Sequence, residues 1–384
     1  NQSYQFLNNS FSNKKMITGA VHTKTGPVNQ VATRLHFRDK LGAVKVRWLI
    51  GRNNYKVDPG LYATGNPDQT SDVFVSANYK LSFDHLRKNL DGVNAWILVL
   101  DTKGVNVWCS AGKGTFGAAE LVNRIRATRL DQIVNHRKIV VPQLGATGVS
   151  AYQVKALTSP SSHENIKVSN HTPVDSKLTG TNLRVDRGFN VVFGPVRAAD
   201  IKAFIANGYK STPGMRKVTF NFTDRIKLTP VDFVYAGSKL LAAFALIVLL
   251  SGLNREGISF SQAIDKGLPA MLYISLAYVT GIFVTPILLP YIPVRMFAFK
   301  GLISGLVLSV ILCIFNMLGR NIIEVISWFL LISAVSSFMA MNFTGASTFT
   351  SLSGVKREMK TFVPVQISLA AIGLVLFVIS NFKN

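Results

Sequence analysis

The densest group of residues able to do chemistry lies in Gly104–Gly117, which reads GVNVWCSAGKGTFG. Gly112-Lys113 looks like the end of a phosphate-binding loop. The spacing argues against that function, because the first glycine of such a loop would fall on Val107. Gly114 also stands where a serine or threonine should follow the lysine. The segment therefore calls for a different chemistry.

A cysteine nucleophile is the second possibility. Cys109 precedes a predicted helix, whose first N–H groups stabilise a thiolate, and Lys113 adds positive charge nearby. A protease-like site also needs a histidine base, and the six histidines, at positions 22, 36, 85, 136, 163 and 171, form no such motif. A small buried cysteine that only packs in the core is the structural alternative.

A metal ligand is the third possibility. One thiolate cannot hold a metal ion alone, but it can be the axial ligand of a macrocycle that supplies its own equatorial nitrogens. Many corrinoid domains ligate cobalt through the histidine of an Asp-x-His-x-x-Gly loop, and none of the six histidines has an aspartate two places before it. In a corrinoid protein of this sequence, Cys109 would be the available ligand. With Cys313 as the other cysteine, the sequence has no iron–sulfur motif and no disulfide framework.

The elements that must position Cys109 belong to a soluble part, because long apolar runs begin only after about Asp232. Each of five later segments approaches the length of about 20 residues that crosses a bilayer. The predicted spans are Phe233–Gly252, Leu268–Pro290, Gly301–Leu318, Ile322–Met341 and Val363–Phe382.

Charge predicts the orientation of these spans. The chain carries a net charge of +23, and its basic residues are scattered singly or in pairs. That scatter favours a surface beside membrane lipid and indicates no nucleic-acid partner. One side of the spans is rich in Lys and Arg, which predicts a multi-pass protein of the cytoplasmic membrane with the soluble domain in the cytoplasm. The residues on that side are Arg216, Lys217, Arg225, Lys227, Arg295, Lys300, Lys356, Arg357 and Lys360.

The soluble part alternates strand-like and helix-like segments, which predicts a mainly parallel α/β sheet of Rossmann-like type. Ligands of such sheets bind beyond the carboxyl ends of the strands, where this sequence has glycine-rich loops. The predicted domains are a partly mobile extension over 1–40, an α/β domain over 41–230 and an all-α domain of five transmembrane helices over 231–384. Predicted strands are Ala43–Ile50, Ala95–Leu100, Lys138–Val141, Val191–Phe193 and Lys217–Phe220; predicted helices are one capped by Thr115 and Ala198–Ala206.

Eight consecutive residues, Asn106–Lys113, closely resemble the signature of the mercury-methylating corrinoid protein family (HgcA), whose usual pattern is N-V/I-W-C-A-A/G-G-K. Ser110 is the one departure, because alanine is usual there. A hydroxyl at this position can bond to the thiolate and would weaken its donation to cobalt. The resemblance covers nearly the whole chain. Val57–Asp68, Ser76–Asp84 and Val141–Val149 look like stretches of the related corrinoid iron–sulfur protein large subunit, and Phe343–Gly345 and Ser351–Val355 look like the mercury-methylating branch.

The resemblance implies an anaerobic corrinoid-dependent methyltransferase that binds a cobalamin-type cobamide. Its cobalt would take a methyl group from a methylated folate carrier, or from that carrier's methyltransferase. Methyl-cobalt(III) would then pass the group to mercury(II) to form methylmercury. A small ferredoxin-like partner with two four-iron four-sulfur clusters would reduce the cobalt. A thiolate trans to the methyl group should favour this transfer, because mercury(II) is an electrophile that needs the methyl group with its bonding electrons.

The resemblance also implies roles for particular residues. Cys109 is the lower axial ligand of cobalt. Asn106, Gly112 and Lys113 shape the loop and cap the helix, and Trp108 packs either beside the ring or in the core. The remaining candidate cofactor contacts are Val107, Ser110, Ala111, Ser76, Ala77, Asn78, Gly145, Ala146, Gly194 and Pro195.

Two other functions stay open at this point. The chain could be a corrinoid methyl carrier of one-carbon metabolism, like that of the acetyl-CoA pathway, although it lacks a four-cysteine cluster motif. It could also be a membrane corrinoid-binding module that transfers no methyl group. Only the carrier would turn over a methylated folate without mercury.

Overall fold

The computed structural model describes residues 16–159, 188–343 and 352–382. The predicted mobile stretch at the extreme N-terminus lies outside these residues, and so do residues 344, 345 and 351 of the two stretches that resemble the mercury-methylating branch. Contacts divide the chain into two compact units, residues 1–46 with 51–218 and residues 47–50 with 219–384. The predicted domain boundaries at residues 40 and 230 stay predictions.

The first unit is built on a seven-stranded sheet in the order β1-β2-β3-β5-β4-β6-β7. Parallel joins link β2 to β3, β4 to β5, β4 to β6 and β6 to β7, whereas β1–β2 and β3–β5 are antiparallel. The predicted parallel α/β sheet is therefore present with antiparallel joins on one side. The strands are β1 Ile17–Thr23, β2 Gly26–Val31, β3 Gly60–Thr64, β4 Val73–Ala77, β5 Ala95–Leu100, β6 Lys138–Val141 and β7 Asn190–Phe193.

Helices cover both faces of this sheet. β5 is buried along its whole length, as a continuous apolar run in a parallel strand predicts. Its alternate residues enter two different cores: Leu98 and Leu100 pack with α4, whereas Ile97 and Val99 pack with α2 and α7. The helices of the unit are α1 Phe37–Arg47, α2 Lys80–Asn89, α3 Val107–Gly112, α4 Ala118–Ala127, α5 Leu130–Ile133, α6 Ala151–Thr158, α7 Ile201–Ala206 and α8 Pro213–Arg216.

The connections of the parallel strands reverse direction at β4. From β4 the chain passes through α2 to β5 on one side, and from β5 it crosses back to β6 on the other side. β4 and β6 are joined at a single register pair, Phe74 with Val140. In open α/β sheets such a reversal leaves a crevice at the carboxyl ends of the strands, where ligands bind.

Two predicted strands are wrong. Residues 43–47 belong to α1, because helical spacing turns Asp39 and Val46 to the buried side, although the alternating valines suggested a strand. Residues 217–220 form no strand and instead connect α8 to the next helix. Ala95–Leu100, Lys138–Val141, the strand over 191–193 and the helix ending at Ala206 are confirmed. The predicted N-terminal extension supplies β1 and β2 to the sheet.

Four buried charged side chains join α1 to α2 and are called here the buried ion cluster. Lys80 lies 2.7 Å from Asp39 and 2.8 Å from Asp84, and Arg87 lies 2.8 Å from each of the same carboxylates. Burial alone would raise the pKa of Asp39, but the hydrogen bond and charge of Lys80, together with Arg87, outweigh it and hold that pKa below its usual value. The cluster balances its own charges, which is the condition for burying them.

The second unit contains five helices long and apolar enough to cross a membrane, as predicted. Small residues allow these helices to approach closely: a Cβ at Gly301 would lie 2.6 Å from the Ser336 carbonyl oxygen, and one at Gly305 would lie 2.8 Å from Ser333 Cα. Such contacts are typical of helices packed in lipid. The candidate spans are Phe222–Ser251, Phe260–Ile287, Phe297–Ile314, Ile322–Asn342 and Gly354–Asn381, within helices α9, α10–α11, α12, α13 and α14 respectively.

Cys313 lies near the C-terminal end of α12. Its side chain is exposed on α12. An exposed thiol on an apolar helix faces the surface that lipid would cover. Cys313 therefore gives a natural control thiol for Cys109, since the two differ in surroundings.

Replacing Arg87 by methionine should destabilise the first unit by roughly 3–5 kcal/mol, because two buried carboxylates would keep only Lys80 as a counter-charge. The Ala32 carbonyl would also lose its donor. Amide exchange of β5 in the full chain, followed by mass spectrometry, measures this change. Lys88→Met on the exposed side of α2 is the matched control and should change stability by less than about 0.5 kcal/mol. Equal effects of both substitutions would show that the buried ion cluster contributes nothing specific.

Candidate functional site

Cys109 lies in the first turn of α3, not ahead of the helix as predicted, and its side chain is exposed. Asn106 caps this helix: its side-chain oxygen accepts a hydrogen bond of 2.9 Å from the Cys109 backbone N–H. The sequence predicted the next helix from a Thr115 cap, but α4 begins at Ala118 with Gly117 as its N-cap. The thiol thus stands on a six-residue helix between β5 and α4.

The residues that lead from β5 to α3, Asp101–Asn106, are called here the thiol loop. The buried side chain of Asn78, just beyond β4, fastens this loop. Its Oδ1 accepts hydrogen bonds from Thr102 N (3.1 Å), Thr102 Oγ1 (2.9 Å) and Gly104 N (2.9 Å), and its Nδ2 donates to Asp101 Oδ1 (3.3 Å). Gly104 has a φ of 74°, a conformation that favours glycine. Asn78 therefore determines where the chain leaves β5.

Asp101 connects the thiol loop to α4. Its backbone N–H donates to Glu120 Oε1 at 2.8 Å, and Glu120 is held in turn by Arg124. Burial alone would raise the pKa of Asp101, but hydrogen bonds from the Lys103 ammonium and backbone N–H outweigh it and keep that pKa below its ordinary value. The carboxylate is therefore charged at neutral pH and available to accept from Asn78.

Ser110 does not act as the sequence suggested. Its buried hydroxyl donates back along α3, to the Asn106 carbonyl at 2.5 Å and the Val107 carbonyl at 3.1 Å. A hydroxyl engaged in this way has no proton for the neighbouring thiol. The hydroxyl that distinguishes Ser110 from the usual alanine is thus hydrogen-bonded within the helix. Ser110 therefore gives no reason to expect that a Cys109 thiolate would donate less strongly to cobalt.

The loop after β6 packs closely beneath α3. A Cβ at Gly148 would lie 2.2 Å from the Phe116 carbonyl oxygen and 3.1 Å from Ala111 Cα, and one at Gly145 would lie 2.5 Å from the Phe116 ring. These glycines therefore allow two backbone segments to meet. Direct contact of Gly145 and Ala146 with a cofactor stays a prediction.

The other predicted contacts reach the same edge of the sheet from neighbouring strands. Ser76 and Ala77 end β4 and are buried, with the Ser76 hydroxyl donating to the Ala77 carbonyl. Gly194 and Pro195 follow β7 and are buried too, and the Gly194 N–H donates to the Val141 carbonyl. Because β4, β5, β6 and β7 run parallel, their carboxyl ends place all these residues along one rim. All four residues are buried and form part of this rim.

The upper side of this rim is open around the thiol. A Cβ added at Gly112 or Gly114 would meet no neighbouring atom within 4 Å, and Lys113 between them is exposed. Trp108 is half-buried, and Val107 packs onto the core. Cys109 is likewise exposed on this surface.

These residues fit a metal that brings most of its own ligands. Among the described residues, no group of three or more His, Cys, Asp or Glu side chains is arranged to hold a metal ion. A corrin ring supplies four equatorial nitrogens and needs only one donor from below, which a single accessible thiol provides. A depression of about 320 Å³ lies at the amino end of β5, lined by His22, Lys24, Asp68 and Trp96 among others, and Cys109 does not line it.

The geometry thus defines an α/β protein with an accessible thiol at the carboxyl edge of its parallel strands, and known proteins show a matching region. Residues 50–170 match the family described as CO dehydrogenase/acetyl-CoA synthase delta subunit. This match includes β3 to α6, the thiol loop and Cys109. It supports the predicted relation to corrinoid proteins and does not distinguish the mercury-methylating branch.

Individual relatives agree with this match. The chain is 35% identical over 97 residues to the acetyl-CoA decarbonylase/synthase complex subunit gamma of Archaeoglobus fulgidus, covering 25% of this chain and 21% of the relative. The subunit gamma of Methanocaldococcus jannaschii is 36% identical over 98 residues, covering 25% and 20%. That of Methanopyrus kandleri is 34% identical over 93 residues, covering 24% and 20%. The chain therefore aligns with about a fifth of the length of these relatives.

The hydrogen bonds between Asn78 and the thiol loop were not predicted from the sequence. Thr102 was not singled out, and Asn78 was predicted to contact the cofactor although its carboxamide is used within the protein. The available signal was a polar residue directly after a buried strand at the predicted ligand edge. Its partners lie more than twenty residues away, which no local pattern reveals.

Asn78→Ala should loosen the thiol loop, because the Gly104 N–H would lose its acceptor and the Thr102 N–H would keep only the Leu100 carbonyl. Loss of these bonds should raise amide exchange in the loop by roughly tenfold. It should also change the rate at which Cys109 reacts with iodoacetamide. Peptide-resolved mass spectrometry measures both quantities in the full chain.

Two variants make this experiment specific. Asn207→Ala, at an exposed position after α7 where the side chain donates to the Lys210 carbonyl, is the matched control and should leave both rates unchanged. Asn78→Asp keeps the acceptor oxygen but places a carboxylate beside Asp101, so exchange should rise less than in the alanine variant. Unchanged exchange in Asn78→Ala would contradict the role of this residue in holding the loop.

Proposed function

We propose that this chain is a membrane-anchored corrinoid protein that carries a methyl group, with the Cys109 thiolate as the axial ligand of cobalt. The observation that carries the proposal is the exposed thiol at the carboxyl edge of the sheet, within the region that matches the acetyl-CoA synthase delta family. A Rossmann-like arrangement of β4 to β7 would place the corrin over this rim. The five apolar helices would anchor the chain with the first unit in the cytoplasm.

The bound corrinoid would supply a cobalt centre that accepts and releases a methyl group. The protein's part is to hold one donor atom in place. Asn106 caps α3 and so fixes the direction of Cys109, while Asn78 fixes the loop before it. Lys113 lies one turn away and places a positive charge on the open side of the rim, where anionic groups of a cofactor tail would bind.

The acetyl-CoA decarbonylase/synthase relatives favour a methyl carrier as the first function. By the resemblance to the mercury-methylating family, a methylated folate carrier or its methyltransferase would deliver the methyl group. Because the sequence has only two cysteines, reduction of cobalt would require clusters on another protein, such as a small ferredoxin with two four-iron four-sulfur clusters. The partners of the relatives as whole proteins do not carry over with a match of this length.

Mercury(II) as the methyl acceptor is a second candidate, favoured by the resemblance of Asn106–Lys113 to the mercury-methylating signature. The comparisons with relatives do not support it. The chemical argument is that a bound corrinoid would supply the methyl group, and the Cys109 thiolate would donate electron density to its cobalt, which would favour release of the methyl group with its bonding electrons to an electrophile. Ser110, which stands where alanine is usual, is compatible with this argument, because its hydroxyl donates to a backbone carbonyl within α3.

Cys109→Ala should change the ultraviolet–visible spectrum of the protein reconstituted with methylcobalamin, because the sulfur donor to cobalt would be lost. Cys313→Ala is the matched control and should keep the wild-type spectrum, since that thiol lies on an apolar helix. Cofactor retained with the same spectrum in wild type and Cys109→Ala would disprove the axial-ligand assignment. Cofactor absent from both would disprove corrinoid binding.

The acceptor is tested separately, by adding mercury(II) to the methylated protein and measuring methylmercury by mass spectrometry. If mercury is the acceptor, the wild type and Cys313→Ala should form methylmercury, and Cys109→Ala should form at least roughly a hundredfold less than either. Methylation of the bound corrinoid by a methylated folate, with no methylmercury formed, would leave the carrier function standing and remove the mercury candidate.

A further inference from the structure

Helix α1 of the first unit has an unpartnered apolar stripe. Phe37, Leu41 and Val44 are 76%, 40% and 52% exposed, and the stripe continues at Trp48 just past the end of the helix. Spacings of three and four positions place these side chains on one face. The opposite face carries the buried residues Asp39 and Val46, so α1 has one buried face and one exposed apolar face.

Basic residues border the exposed stripe on both sides. At 100° per residue, Lys40 and Arg47 lie along one border, and Arg38 and Lys45 lie along the other. The one acidic residue of α1, Asp39, is turned away from the stripe into the buried ion cluster. The outward face therefore combines large apolar side chains with positive charge alone.

This combination has a specific physical meaning. Long basic side chains beside an apolar stripe can extend to anionic headgroups while their stems and the stripe enter the acyl boundary. A partner protein would need an apolar groove with acidic walls to satisfy the same face. A lipid surface supplies an apolar layer next to anionic headgroups at every point. This chain already contains five candidate membrane spans.

Trp48 makes an aromatic contact within the second unit. Residues 47–50 belong by their contacts to the second unit, and within that unit the Trp48 ring lies edge-on to Phe233, with centroids 6.0 Å apart. Phe233 is part of the first candidate span. Tryptophan is also enriched at the interface between a bilayer and water.

We propose that α1 is an interfacial helix that lies on the cytoplasmic lipid surface, with Phe37, Leu41, Val44 and Trp48 in the acyl boundary and its basic residues on anionic headgroups. The proposal rests on the membrane spans of the proposed function. The buried ion cluster joins α1 to α2 and hence to the sheet.

The test places a nitroxide label at Val44→Cys in the full chain, in a Cys109→Ser/Cys313→Ser background. The protein is reconstituted in nanodiscs of phosphatidylcholine mixed with phosphatidylglycerol. Collision with oxygen reports contact with lipid, and collision with an aqueous nickel chelate reports contact with water. Lys88→Cys on exposed α2 is the matched water-facing control, and Val310→Cys on α12 is the lipid-facing control.

The Val44 label should collide roughly fivefold less with nickel than the Lys88 label and more with oxygen. Its protection should fall in pure phosphatidylcholine and in Lys40→Glu/Lys45→Glu, because the charge attraction is then lost. Nickel access equal to that of Lys88 would overturn the proposal while Val310 still reported lipid. Spin–spin coupling between labels would instead identify a second copy as the occupant. Water contact at Val310 would overturn the spans, and the proposal with them.

Discussion

The carboxamide of Asn78 joins the ends of two parallel strands at the point where the site begins. β4 and β5 finish side by side, and the chain must leave both toward different helices without unpairing buried backbone groups. Asn78 meets this constraint with one side chain, since its oxygen satisfies the first turn of the thiol loop and its nitrogen reaches Asp101. The position of Cys109 depends on this joint, because only a short stretch of chain separates the loop from the thiol.

The rest of the rim is arranged so that Cys109 is approached from one side. Beneath α3, glycines allow the loop after β6 to approach Phe116 and Ala111 closely. Above it, Gly112 and Gly114 border open space. A donor with a packed lower side and a free upper side suits a planar cofactor that needs one axial ligand. It suits a small metal ion less well, because no second protein donor is arranged with it among the described residues.

Predictions from the sequence were correct for elements that depend on a local pattern. They were wrong where contacts between distant residues determine the structure. The apolar runs of β5 and β6 and the five apolar helices could be recognised because burial on all sides leaves a continuous signal. α1 was taken for a strand because its valines alternate, and only the pairing of Asp39 with Lys80 and Arg87 shows which face is buried. The site motif was found from residue types, whereas the roles of Asn78 and Ser110 follow from hydrogen bonds that a linear pattern does not contain.

The family match covers residues 50–170, whereas the structure also describes the apolar helices. The family match ends at residue 170, before the apolar helices begin, so it bears on the thiol-bearing edge and on nothing that anchors it. A protein fixed to a bilayer meets its partners in a thin layer next to the lipid and in a restricted range of orientations. Because the match covers the thiol-bearing edge and none of the apolar helices, it does not carry the relatives' partners to this chain.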